Sequence, residues 1–195
     1  MILKCEKFLA NYTDPSVTFI NKLCVILYNS LEEKEISLNE NTAQYLLDEF
    51  KTKENLYIKD IYLINSIFFL FPIETAHLTM RYIETALKKY GDYQSINRME
   101  VNLRLNYSLM LIKNRAENEA LNQLLRALPI TKEYKLSIQM AILYIRIGIC
   151  YNNLNISIDS CFIKKGLSIL EVLDEFEVLN LMKSEIQNYL KVKAK

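Results

Sequence analysis

Glycine and proline, the residues that end regular structure and form tight turns, occur only three times each in 195 residues. An all-β chain needs a turn roughly every 8–12 residues, and such turns draw heavily on both. So few breakers suit long helices instead. With 51% hydrophobic and 24% charged residues, the chain has the material for a packed core and lacks the profile of a disordered segment. Its length fits one domain spanning 1–195, or one compact array, burying roughly 70% of its unfolded surface.

Apolar periodicity and stop signals divide the chain into about ten helices. The first covers 2–12. "TDPS" opens a second near Pro15, running to Leu31; proline suits a first helical turn, where its missing N–H is not needed. "SLNENTAQYLLDEF" gives a third and "ENLYIKDIYLINSIFFLF" a fourth, stopped at Pro72. A fifth spans Glu74 to Tyr90, capped by Gly91, and a sixth runs from Asp92 to Asn114. The seventh, 115–127, is expected to end before Pro129, and Thr131 with Glu133 to open an eighth reaching Asn152. The last two cover 157–173 and 175–192.

Long helices thus begin near 56, 92 and 130, at intervals of roughly 36 and 38 residues, beside the 34 of tetratricopeptide (TPR) repeats. "YIRIGICY" places Tyr144, Ile147, Gly148 and Tyr151 like the W-x2-L-G-x2-Y half of that motif. Ser160 stands where the motif has a small residue, while Lys164 replaces a later aromatic. Glycine inside a helix costs about 1 kcal/mol relative to alanine, so close approach of a second helix explains Gly148. At 100° per residue it shares a face with Ser137, Ala141 and Tyr144. The fold expected is all-α, a right-handed superhelical array of antiparallel helices resembling TPR proteins.

The helix ending in "NLRLNYSLMLIKN" (102–114) carries the most informative polar residues. Projection puts Ile96, Met99, Leu103 and Met110 on one face and Val101, Leu105, Leu109 and Ile112 on the opposite one. A helix apolar on two faces packs between neighbours on both sides, as inside a solenoid. Two polar seams separate the faces: Asn97, Arg104 and Ser108 on one side, Asn102, Asn106 and Lys113 on the other. The helix after it has a seam of Lys135, Gln139, Arg146 and Asn153, and Asn65 is the polar member of the helix before. Asn65, Asn102, Arg104, Asn106, Gln139 and Arg146 therefore form a candidate peptide-binding groove. Amide tips offer donors and an acceptor to an extended backbone, and either arginine can hold a carboxylate bidentately. The competing reading makes the same residues inter-helix pairs or solvated surface.

Other chemistry has little support. A net charge of +1 gives no field for nucleic acid or an anionic membrane. The Lys191, Lys193, Lys195 tail reads as a solvated end. "MILKCEKFLANY" carries Glu6 and lacks the apolar core of a signal peptide; "IYLINSIFFLF" is too short to span a bilayer. Cys5, Cys24, Cys150 and Cys161 show no CxxC spacing, and His77 is the one histidine, so neither a metal site nor a cofactor is expected. Reduced, mostly buried thiols in a cytoplasmic protein are the expectation, with Cys24 or Cys5 in an intersubunit bridge as the alternative. No acid, base and nucleophile set for an enzyme stands out.

Over roughly 56–190 the chain resembles the C-terminal domain of the Rgg/GadR/MutR family of bacterial transcription regulators. The carriers are "NLRLNYSLMLIKN" followed by "AENEALNQLL", then "EYKLSIQMAILYIRIGICYNN" and "IKKGLSILEVL". The resemblance implies an all-helical, TPR-like homodimer binding short signalling peptides of the quorum-sensing class on its concave face. It implies DNA contact only through an N-terminal helix-turn-helix domain, of which 1–55 show no recognition helix. The second function expected is a stand-alone helical-repeat adaptor for a protein or peptide segment. Val178, Leu181, Met182, Ile186 and Tyr189 form an apolar stripe with no later repeat to cover it, so dimerisation is expected there.

Overall fold

The doubly apolar helix predicted around 92–114 is the centre of the molecule. In the computed structural model, which describes residues 1–32, 48–50, 56–68, 71–90, 94–156 and 161–190, both of its faces are buried. Val101, Leu103, Leu111 and Ile112 are fully enclosed, with Ile96, Met99 and Met110 nearly so. The described residues form nine α-helices: α1 (Ile2–Leu9), α2 (Pro15–Glu32), α3 (Ile58–Ile67), α4 (Ile73–Leu87), α5 (Gln94–Lys113), α6 (Glu117–Glu133), α7 (Ser137–Asn153), α8 (Cys161–Val172) and α9 (Phe176–Tyr189). A short 3-10 turn, Lys88–Tyr90, extends α4, and there is no strand among the described residues. The third helix expected lies outside the described residues except for 48–50, which are helical, and Gly91 and the lysine tail also lie outside them.

Each helix from α5 to α9 packs on the one before it, while α3, α5, α7 and α9 also touch in sequence. The molecule is thus an all-α array in two layers: α3, α5, α7 and α9 in one, α4, α6 and α8 in the other. Short connections make successive helices antiparallel. Upstream, Asp14 caps α2 by accepting the Val17 N–H at 3.0 Å, with Pro15 in the first helical position. Tyr82 and Tyr90 donate their hydroxyls to the Phe50 and Leu56 carbonyls at 3.1 and 2.8 Å, tying the chain before α3 to the end of α4.

Pro129 does not end its helix. α6 continues through it to Glu133, and the next helix begins at Ser137, not near Thr131. Ala120, Leu124, Ala127 and Thr131 keep one buried face across the proline. The Leu125 carbonyl that loses its partner is on the exposed side, where water can serve it. Packing of that face outweighs the local break.

What ends these helices is a repeated C-terminal motif. Arg115, Lys135, Asn155 and Asp174 stand at φ 60°, 52°, 55° and 56°, spaced 20, 20 and 19 residues apart. At each, the residue's own N–H reaches back three carbonyls and the next N–H reaches back five: Arg115 to Ile112 and Ala116 to Leu111, Lys135 to Lys132 and Leu136 to Thr131, and likewise after α7 and α8. This is the Schellman arrangement, usually completed by glycine. A left-handed residue bearing Cβ costs about 1–2 kcal/mol, against roughly 0.5–1 kcal/mol for the extra freedom glycine loses. Arg115→Gly and Lys135→Gly, at exposed sites, should each raise the unfolding free energy by about 0.5–1 kcal/mol. Chemical denaturation of the double variant checks this; no gain would mean the two side chains contribute as much as their backbones lose.

Candidate functional site

Four of the six groove residues meet on the layer formed by α3, α5 and α7. Asn102 and Asn106 lie one turn apart on α5 and face opposite neighbours. Asn106 Nδ2 donates to Asn65 Oδ1 on α3 at 3.0 Å and to the Asn65 carbonyl at 3.3 Å. Gln139 Nε2 on α7 donates to Asn102 Oδ1 at 3.4 Å. All four side chains are half-buried. The result is a row of amides crossing three helices. Each pair leaves an NH2 and a carbonyl oxygen without a further side-chain bond, and none of those atoms is a buried orphan; among the described residues only Asn21 Oδ1 is. Those free donor and acceptor atoms therefore keep some contact with solvent.

The two arginines are elsewhere, and their expected role in the groove is corrected. Arg104 is buried and turned toward the other layer. Its Nη1 donates to Glu84 Oε1 on α4 at 3.0 Å and to Gln123 Oε1 on α6 at 2.5 Å, and its Nε to Glu100 Oε1 at 2.9 Å. Two carboxylates already match its charge. The helical projection had this answer: Arg104 belongs to the Asn97/Ser108 seam, opposite the asparagines. Arg146 is buried and does hold a carboxylate bidentately, but that of the chain's own Glu185 on α9, at 2.6 and 2.9 Å. Its Nη1 also donates to the Leu105 carbonyl of α5 at 2.6 Å. Asn153, from the same seam, joins Glu117 Oε1 at 3.2 Å and the Tyr189 carbonyl at 2.9 Å. These contacts fasten α9 to α5, α6 and α7.

The stripe expected to form a dimer mostly closes the protomer. Met182 is buried, and Val178, Ile186 and Tyr189 pack against the core. Leu181 alone of the five stays exposed, at 63%. The stripe is broad because it covers α7 and α8, which already supply the missing neighbour.

A second polar pair escaped the sequence reading. His77 Nδ1 on α4 and the Tyr107 hydroxyl on α5 share a short hydrogen bond, with the rings edge to face at 5.7 Å. Burial first, then Glu119 and Glu84, push the Tyr107 phenol up to about 12, so it stays protonated and can donate. Thirty residues separate the two, and no local spacing signals the pair. All four cysteines are free; Cys5 and Cys150 are buried, while Cys161 is exposed. Burial and nearby Glu117 push the Cys150 thiol up to about 12, which makes it a poor nucleophile. Among the described residues no group of three His, Cys, Asp or Glu is placed to hold a metal, and no helix is long and apolar enough to cross a membrane.

No protein-family model, curated protein or solved structure matches this chain.

Proposed function

We propose that this chain is the peptide-binding and dimerisation domain of a cytoplasmic, Rgg-type bacterial transcription regulator. The observation that supports this reading is the amide row Asn65–Asn106 and Asn102–Gln139, water-accessible and shared by three helices of one layer. An extended peptide lying across α3, α5 and α7 would find alternating donors and acceptors for its own N–H and C=O groups. A short ligand seated across three helices can bias their spacing, to the extent that it binds one spacing better than another. On this reading, DNA is contacted through a helix-turn-helix domain, as the family resemblance implies, and not by α1–α9.

The test is native mass spectrometry of the chain with short peptides from its own source, followed by calorimetric titration of the captured peptide. Asn102→Ala should weaken binding by about 0.5–1.5 kcal/mol, the net worth of an ordinary hydrogen bond. It should change the melt little, because its contact to Gln139 is long. Asn106→Ala should lower both affinity and stability, since it also loses two bonds to Asn65. Arg126→Ala, exposed on the other layer, is the control that should change neither. Unaltered affinity in both asparagine variants would reduce the row to struts between helices and sink the reading.

A further inference from the structure

The antiparallel array places the α4–α5, α6–α7 and α8–α9 connections along one edge, and their charges differ. The α8–α9 connection is acidic: between Gly166 and Met182 stand Glu171, Asp174, Glu175 and Glu177 and no base. Within the acids lie Val172, at 83% the most exposed large hydrophobic among the described residues, Phe176 at 59% and Leu173 at 42%. The other two connections carry more bases than acids: Lys88 and Lys89 against Asp92 between α4 and α5, and Lys132 and Lys135, flanking half-buried Tyr134, against Glu133 after α6.

We infer that a second copy of this chain docks along this edge, the acidic, apolar α8–α9 turn of each copy seated on the basic α6–α7 turn of the other. The self-complementary charge argues for this occupant. Pairing the α8–α9 turn with itself would set four carboxylates against four around an apolar centre, which electrostatics opposes. A twofold arrangement instead repeats one favourable contact twice: Val172 and Phe176 meet Tyr134 and the lysine stems, and Glu171 and Glu177 face Lys132 and Lys135. Neither turn contains a residue of the amide row, so both peptide faces stay open. The inference rests on the dimerising half of the reading above. Its failure is separable, because peptide titration is an independent measurement.

Sedimentation velocity of the full chain over a range of concentrations tests it. A dimer is expected that weakens toward roughly 1 M salt, where the Debye length falls to about 3 Å. Val172→Ser with Phe176→Ser should give a monomer with an unchanged circular-dichroism melt, since both side chains are exposed. Lys132→Glu with Lys135→Glu should raise the dimer dissociation constant about tenfold or more, as should Glu171→Lys with Glu177→Lys in a separate chain. Mixing those two charge-reversed chains should restore dimerisation, because each contact then pairs opposite signs. A wild-type monomer at every concentration overturns the inference. So does a dimer indifferent to the serine variant, or a mixture that stays monomeric.

Discussion

Glu185→Ala should lower the unfolding free energy by about 3–5 kcal/mol, the usual consequence of stranding one member of a buried ion pair. The guanidinium it abandons, that of Arg146, has a side chain only 7% exposed, and the carboxylate itself is 6% exposed. What remains to Arg146 is the Leu105 carbonyl. Against a typical stability of about 5–15 kcal/mol this is a large share, and the melting temperature should drop by roughly 6–20 °C. The pair is not itself a strong stabiliser, because both charges had to leave water. Arg146→Met with Glu185→Leu should therefore recover most of the loss. The damage should begin at α9, which the pair and the Asn153 contact to the Tyr189 carbonyl fasten, so protease should trim the C-terminal helix of Glu185→Ala first. A melt within 1 kcal/mol of the parent's, by the same buried-pair reasoning, would mean that Glu185 does not sit in a closed, dry pairing.

The reach of sequence reasoning follows from how local each cause is. Helical class is carried by composition and by a 3.6-residue period, both local, and the burial of α5 on two faces was legible from its own residues. So was the placing of Asn102 and Asn106 on a seam away from Arg104. The partners were not legible: Arg146 and Glu185 are 39 residues apart, Asn65 and Asn106 are 41. Charge alone could not say whether Arg146's carboxylate was foreign or its own. Pro129 was misjudged for the opposite reason, a strong local rule overridden by the buried face of Ala120, Leu124, Ala127 and Thr131. The helix ends were hard to see because Arg115, Lys135, Asn155 and Asp174 occupy positions where glycine is the usual mark.

Gly148 was legible as a contact point, and its counterpart makes the last prediction. A Cβ on Gly148 would stand 2.5 Å from Ile163 Cγ1 and 3.0 Å from the Ile163 nitrogen of α8. One on Gly166 of α8 would stand 2.5 Å from the Ala141 carbonyl oxygen and 2.6 Å from Ile145 Cγ1 of α7. The two glycines thus let α7 and α8 approach at two levels, on the face that carries Ala141 and Tyr144. Alanine inside a helix gains about 1 kcal/mol over glycine, so on propensity alone both Gly→Ala variants would stabilise. Overpacking opposes this by about 1–3 kcal/mol, and more where the obstacle cannot rotate away. At Gly166 that obstacle is a backbone carbonyl, which moves only if the helices part. Gly166→Ala should therefore destabilise by about 1–2 kcal/mol net and Gly166→Val, with two more atoms and poorer propensity, by about 3 kcal/mol or more. Gly148→Ala should cost less than Gly166→Ala, because its nearest obstacle is a side chain. Denaturant midpoints of the three variants give the order. A Gly166→Ala protein more stable than the parent would show that α7 and α8 sit farther apart than their glycines allow.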